Sequence, residues 1–122
     1  MINNFTTELP KRYQKSKYHN KKIEINGITF DSKKEGNRYL ELKLQEKLGL
    51  ITELVLQPEF ELQKAFKHNT GLCRAIKYIA DFSYWKDGVK VIEDTKGMKT
   101  DVYKLKKKMF LFKYPKLKLI ET

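Results

Sequence analysis

Apolar residues recur along this chain with two different periods. In KIEINGITF, Ile23, Ile25 and Ile28 flank Asn26-Gly27, and a short apolar pattern around that turn dipeptide predicts a β-hairpin. The period then lengthens. In FDSKKEGNRYLELKLQEKLGLI, Leu40, Leu44 and Leu48 form one stripe at helical spacing, and Glu35, Tyr39 and Leu42 form another. Two stripes predict a helix packed on more than one side. Asp31 or Ser32 can cap its start, and Gly49 marks its end.

ELVLQPEFEL reads as a strand whose pairing Pro58 limits. CRAIKYIADFSYWKDGVKVIEDTKG reads as two strands joined at Lys86-Asp87-Gly88, a strong hairpin signal. Alternation puts Lys77, Ile79, Asp81 and Ser83 on one face of the first strand. In the second, Ile92, Asp94 and Lys96 share a face, and Val91, Glu93 and Thr95 take the other. KTDVYKLKKKMFLFKYP predicts a second helix with Thr100 as N-cap. Val102, Leu105, Met109 and Phe112 would be its buried stripe, with Lys104, Lys107 and Lys108 on another side. Pro115 stops it, and KLKLIE reads as a last strand. The order is β-hairpin, α, β, β, β, α, β, a mixed α/β domain. The chain divides into a basic N-terminal arm, residues 1–22, and a single domain, residues 23–122.

Charge narrows the class of partner. The chain has 122 residues, is 40% hydrophobic, and carries a formal net charge of +11. Basic residues cluster at the N-terminus and again in the last third. Such asymmetry points to a polyanion, nucleic acid before membrane, although a solubilising surface produces it too. In KRYQKSKYHNKK, Tyr13 and Tyr18 sit among Lys11, Arg12, Lys15 and Lys17. That mix suits an arm lying on phosphates and stacking on a base, and equally a solvated tail. Cys73 is the only cysteine, so no internal disulfide forms and a reducing compartment fits. No apolar run approaches the ~18 residues of a membrane span, and the N-terminus has no apolar signal core. His19 and His68 show no ligand spacing.

The acids carry the candidate chemistry. The Asp87-Gly88 turn brings the strand of Asp81 beside the strand of Asp94. If both carboxylates point to the same face, they come within reach of one cation, and Mg²⁺ is satisfied by one or two carboxylates plus water and phosphate oxygens. Lys96, one residue pair beyond Asp94, can orient or deprotonate a water or stabilise developing charge. Glu35 can add a third carboxylate. Each residue also has a structural reading. Glu35 completes the capping box Ser32-x-x-Glu35. Asp81 could pair with Lys77, and Asp94 with Lys96 as a surface ion pair. Glu93 reads as a solvated or salt-bridged acid, or as the ligand if the register slips.

This arrangement resembles the PD-(D/E)XK nuclease superfamily, on Asp81 in YIADFSY, Asp94-Thr95-Lys96 in VIEDTKG and the helical glutamate in FDSKKEGNRYLEL. More narrowly, NGITFDSKKE, LQPEFEL, KYIADFSY, EDTKGMKT and KYP fall in the order of a family of small phage-encoded endonucleases related to Holliday-junction resolvases. The resemblance spans residues 17–120. Ala80 stands where the superfamily's name has proline. The resemblance implies a restriction-endonuclease-like core, a central mixed sheet flanked by two helices. It implies Mg²⁺ or Mn²⁺ held by Asp81, Asp94 and the Thr95 carbonyl, a catalytic Lys96, and a metal or water contact for Glu35. It implies a structure-selective endonuclease acting as a homodimer on branched DNA, with Lys77, Lys104, Lys107, Lys108 and the arm holding the backbone. Its place would be the cytoplasm, that of the bacterial host if phage-encoded. A nuclease for flap, nicked or duplex DNA, or a nucleic-acid-binding module without catalysis, are the alternatives.

Overall fold

A computed structural model describes residues 21–95 and 98–122. The chain forms two compact units, Met1–Tyr39 and Leu40–Thr122, whose boundary falls inside the first helix. In the first unit, β1 (Ile23–Ile25) and β2 (Ile28–Phe30) pair antiparallel. The turn between them has positive φ at Asn26 (53°) and Gly27 (79°), the left-handed pair that matches strand twist. Helix α1 (Lys33–Lys47) follows, and Ser32 caps it by accepting the Glu35 N–H at 3.1 Å. Gly36 lies against the hairpin. A Cβ there would stand 2.6 Å from Ile23 Cδ1 and 2.9 Å from Ile25 Cδ1, so its hydrogen permits the close approach. The Phe30 and Tyr39 rings meet at 5.0 Å.

In the second unit α1 ends as expected. Gly49 has φ 79°, its N–H bonds the Glu46 carbonyl, and the Leu50 N–H bonds the Gln45 carbonyl at 2.9 Å, a Schellman closure. Glu46 Oε2 then accepts the Leu54 N–H, fixing the helix end to the chain that follows. Next come β3 (Thr52–Leu56), β4 (Glu59–Gln63), β5 (Phe66–His68), β6 (Gly71–Cys73), β7 (Ile76–Ile79), β8 (Phe82–Lys86) and β9 (Val89–Asp94). Helix α2 (Asp101–Lys113) and β10 (Lys118–Glu121) complete the unit. The main sheet is mixed, in the order β10-β9-β8-β3, with β10 parallel to β9. Asp87 and Gly88, both at positive φ, make the tight β8–β9 turn. Thr100 caps α2 by accepting the Tyr103 N–H at 3.1 Å, and Pro115 follows its end.

One long ribbon was not expected. β3 runs into β4 and β7 into β8, so the antiparallel pair continues beyond the sheet as β4–β7 and ends in the hairpin β5–β6. The ribbon bends where Gln57-Pro58 faces Ala80-Asp81. Two backbone bonds, Gln57 N–H to the Asp81 carbonyl and Ala80 N–H to the Pro58 carbonyl, carry the ladder through the bend. Gln57 takes a left-handed φ of 50° there. Pro58 donates no hydrogen bond, which is why one strand pattern became two strands.

Beyond the bend the ribbon packs on α2. Phe110, fully buried, has the rings of Phe60, Tyr78 and Tyr114 within 5.0, 5.1 and 5.3 Å. Leu62, Ala80, Ile92 and Tyr103 complete that core.

Two apolar stripes are corrected. Leu40, Leu44 and Leu48 are exposed, while Glu35, Tyr39 and Leu42 are buried. On α2, Val102, Leu105 and Phe112 are exposed, Phe112 to 89%, and the buried positions are Tyr103 and Phe110, with Met109 half-buried. The aromatic wall of the ribbon selects the face that presents matching rings. Period-two alternation also fails at the bend. Tyr78 and Ala80 share a core with Ile92, yet Ile92 pairs with Ser83, so residues of both parities face one side.

The corrected face of α2 is directly testable. Phe110→Ala should cost about 3–5 kcal/mol, as core phenylalanines do. Phe112→Ala should stay within about 0.5 kcal/mol. Urea melts of the two variants check this, and the reverse ranking would restore the stripe read from spacing.

Candidate functional site

The bend fixes where the acids stand. Asp81 is the last residue before β8. Its N–H donates to the Glu93 carbonyl at 3.1 Å. Its Oδ2 accepts both the Thr95 N–H (2.6 Å) and the Thr95 hydroxyl (2.7 Å). Asp81 therefore clasps the end of β9, with its side chain standing in for a ladder carbonyl. Lys77 does not pair with it and instead meets Glu59 across the ribbon at 3.4 Å.

Asp94 and Glu93 end β9, and neither has any exposed surface. They face opposite sides of the strand. Asp94, on the Ile92 side, accepts the Tyr78 hydroxyl at 2.6 Å. Glu93, on the Val91 side, accepts the Tyr84 hydroxyl at 2.8 Å. A buried carboxylate needs such donors, because a lost partner costs more than the bond contributes. Burial thus excludes the solvated reading of Glu93, while the pairing of Asp94 with Lys96 involves a residue outside the described ones. Burial first, and the Asp94 carboxylate second, push the Tyr78 hydroxyl far above its ordinary value, so it stays a proton donor.

Asp81, Asp94 and Thr95 are brought together on neighbouring strands. Glu35 is buried in the first turn of α1, in the other unit. Lys96 lies outside the described residues, as do Lys11, Arg12, Lys15 and Lys17. Among the described residues, no three His, Cys, Asp or Glu form a metal-binding group. Tyr78 and Tyr84 were missed as partners of the acids. Their signal was available: each lies on a strand of the acid hairpin, in YIADFSYW.

One family model matches residues 15–121, that of a protein family of unknown function, DUF1064. The chain belongs to the DUF1064 family. No curated protein and no solved structure matches it.

The predicted basic face of this DUF1064 chain is more structured than its charge suggested. Lys99, Lys104, Lys107 and Lys108, with Leu111 and Glu121, line a concave pocket of about 250 Å³ between α2 and β10. Glu121 Oε1 lies 3.2 Å from the Lys99 ammonium and 3.1 Å from that of Lys107. Its Oε2 accepts the Tyr103 hydroxyl at 2.5 Å. The Tyr103 hydroxyl first, and then the two ammonium groups, hold the Glu121 carboxyl down to about 2, against the opposing effect of burial. Burial and Glu121 in turn raise Tyr103 above its ordinary range. Lys104 and Lys108 make no ion pair among the described residues.

Two predictions follow from these contacts. Tyr78→Phe should destabilise the fold by about 1.5–3 kcal/mol, the range for a hydrogen bond to a charged group, in chemical melts near pH 7. An unchanged midpoint would mean the Tyr78 hydroxyl does not support Asp94. Glu121 sets a pH dependence. Its folded value lies below the ordinary 4.5, so its contribution is present above that value and is lost as pH falls toward about 2. Between those limits the parent should lose on the order of 1 kcal/mol more than Glu121→Gln, allowing for solvent screening. Parallel stability curves for the two proteins would remove Glu121 from the account.

Proposed function

We propose that this protein is a divalent-metal-dependent endonuclease that hydrolyses DNA phosphodiester bonds, with branched DNA as its substrate. The observation that carries the reading is the clasp at the bend, in which Asp81 is bonded to Thr95, the residue directly after Asp94. Two carboxylates and a strand-end carbonyl are hard oxygen donors, the kind Mg²⁺ and Mn²⁺ take. A cation held there by one or two carboxylates would keep most of its waters, which suits Mg²⁺. Such a cation would supply an activated water and charge neutralisation at the scissile phosphate.

The chain's own residues have separate tasks in this reading. Asp81 and Asp94 are ligands, with the Thr95 carbonyl beside them. Tyr78 orients Asp94 by donating to Oδ2. Lys96 positions or deprotonates the attacking water. Lys104 and Lys108, without ion pairs among the described residues, meet backbone phosphates without reading bases. Symmetric nicking of a four-way junction needs two such sites, so the reading includes a two-fold dimer.

A second reading has its own support. Asp94 is fully buried and already bonded to Tyr78, and Asp81 already closes the ladder, as in a purely structural acid pair. The protein would then bind nucleic acid without cutting it. Cleavage of four-way junction, flap, nicked and linear duplex with Mg²⁺ or Mn²⁺ separates the readings. Asp81→Asn, Asp94→Asn and Lys96→Ala should each abolish cleavage and leave junction binding within a few-fold. Full activity in either aspartate variant would sink the metal-site reading. Activity confined to flaps, nicks or plain duplex would keep the chemistry and change the substrate.

A further inference from the structure

The ribbon tip has no part in the core or in the acid site. From Leu62 to Ala80 the sequence contains no Asp or Glu, yet it holds Lys64, Lys67, Arg74 and Lys77. Lys64, Lys67 and Arg74 are exposed and make no ion pair among the described residues. Every residue of β5 is exposed, including Phe66 at 44%, and Leu72 on β6 is exposed to 67%. The register pairs Phe66 with Cys73 and Lys67 with Leu72. Directly paired residues share a face and alternate pairs take opposite faces, so Phe66 and Leu72 project from opposite sides of the hairpin.

We propose that the β5–β6 hairpin is a nucleic-acid-binding wedge that inserts at the branch point of a DNA junction. The inference deepens the nuclease reading, because it names the element that would select a branched substrate. Three cations without an ion pair among the described residues fit a polyanion, and the tip's own sequence carries no acid. A two-stranded ribbon has the dimensions to enter a DNA groove. Apolar side chains that intrude between bases unstack them, at a cost that is least where stacking is already interrupted, as at a branch. Anionic membrane is the competing partner for a basic apolar hairpin. An element lying on a membrane presents one apolar face, however, whereas this tip presents one on each side, as an element between two surfaces does. The ribbon also ties the tip to the candidate site. The eight steps from Cys73, the partner of Phe66, to Asp81 span at most about 26 Å at strand rise. At about 3.4 Å per nucleotide along a strand, the tip lies within about eight base pairs of a phosphate held at Asp81.

The test is binding in EDTA, where no cleavage occurs, by the full chain. The probes are a four-way junction with 2-aminopurine at the branch, a linear duplex of the same sequence, and phosphatidylserine vesicles. Phe66→Ala with Leu72→Ala should weaken junction binding about tenfold, leave linear binding unchanged, and remove the 2-aminopurine fluorescence rise that the parent produces. Lys64→Ala with Lys67→Ala and Arg74→Ala should weaken both DNAs and lower the salt slope by roughly two to three. Leu72→Ser alone, a change at an exposed position, gives a milder version of the first effect, and unchanged thermal melts show that the fold persists. Parent-like junction binding by the Phe66/Leu72 variant would overturn the proposal. So would vesicle binding that depends on these two residues while junction binding does not. If wedge binding holds but no metal supports cleavage, the catalytic reading fails and the wedge stands.

Discussion

Two consecutive carboxylates on one strand, Glu93 and Asp94, are taken wholly out of water on opposite faces of the sheet. Much of the second unit's architecture meets that demand. Buried carboxyl oxygens are tolerable only with donors in place, and Glu93 and Asp94 each accept from a tyrosine hydroxyl on the neighbouring antiparallel chain. Tyr84 reaches Glu93 from within the sheet. Tyr78 reaches Asp94 from beyond the bend, on β7, so the bend must turn the ribbon toward the Asp94 face. Packing of that ribbon on α2 then fixes Tyr78 in place through Phe110. The position of α2 and the hydrogen bonding of Asp94 are thus one constraint.

Local signals were legible in the sequence where local chemistry decides the outcome. Both tight hairpins, the Ser32 and Thr100 caps and the Gly49 helix end depend on a few adjacent residues, and each formed as its residues dictate. Helix faces depend on a distant partner. Val102, Leu105 and Phe112 have good spacing, but spacing cannot tell which of several faces meets the aromatic wall built by Phe60 and Tyr78. The hairpin β5–β6 was invisible because its strands have three residues each and only Cys73 is even partly buried, so no apolar alternation marks them. The placement of Asp81 beside the end of β9 was legible from the Asp87-Gly88 turn. The burial of Glu93 was not, since a carboxylate beside a strand end has no sequence mark separating a solvated acid from one held by a tyrosine.

The bend also explains why the chain needs an acceptor side chain at position 81. At a break in the ladder, some N–H group of the partner strand is left without its carbonyl. The Asp81 carbonyl is taken by Gln57, so it cannot serve β9. A side chain with an acceptor at the right reach can, and the Asp81 carboxylate accepts the Thr95 N–H and hydroxyl together. Both bonds go to Oδ2 alone, so asparagine could supply the acceptor with its one oxygen, and alanine could not. This structural role would be compatible with the proposed ligand role, because the Thr95 bonds engage only one oxygen of the carboxylate.

The same reasoning limits what Asp94 can bind. Tyr78 stays protonated far above neutral pH, so its hydroxyl occupies Oδ2 throughout the physiological range. On the proposed metal-site reading, Tyr78 would hold the Asp94 carboxylate in one orientation through Oδ2. Asp94 and Asp81 would then offer a cation two carboxylates rather than a closed cage. That geometry suits an ion that keeps its waters, and one of those waters is what a hydrolytic site must present to phosphorus. The burial that at first favours a purely structural acid pair would, on the proposed reading, also preorganise the carboxylates of a hydrolytic metal site.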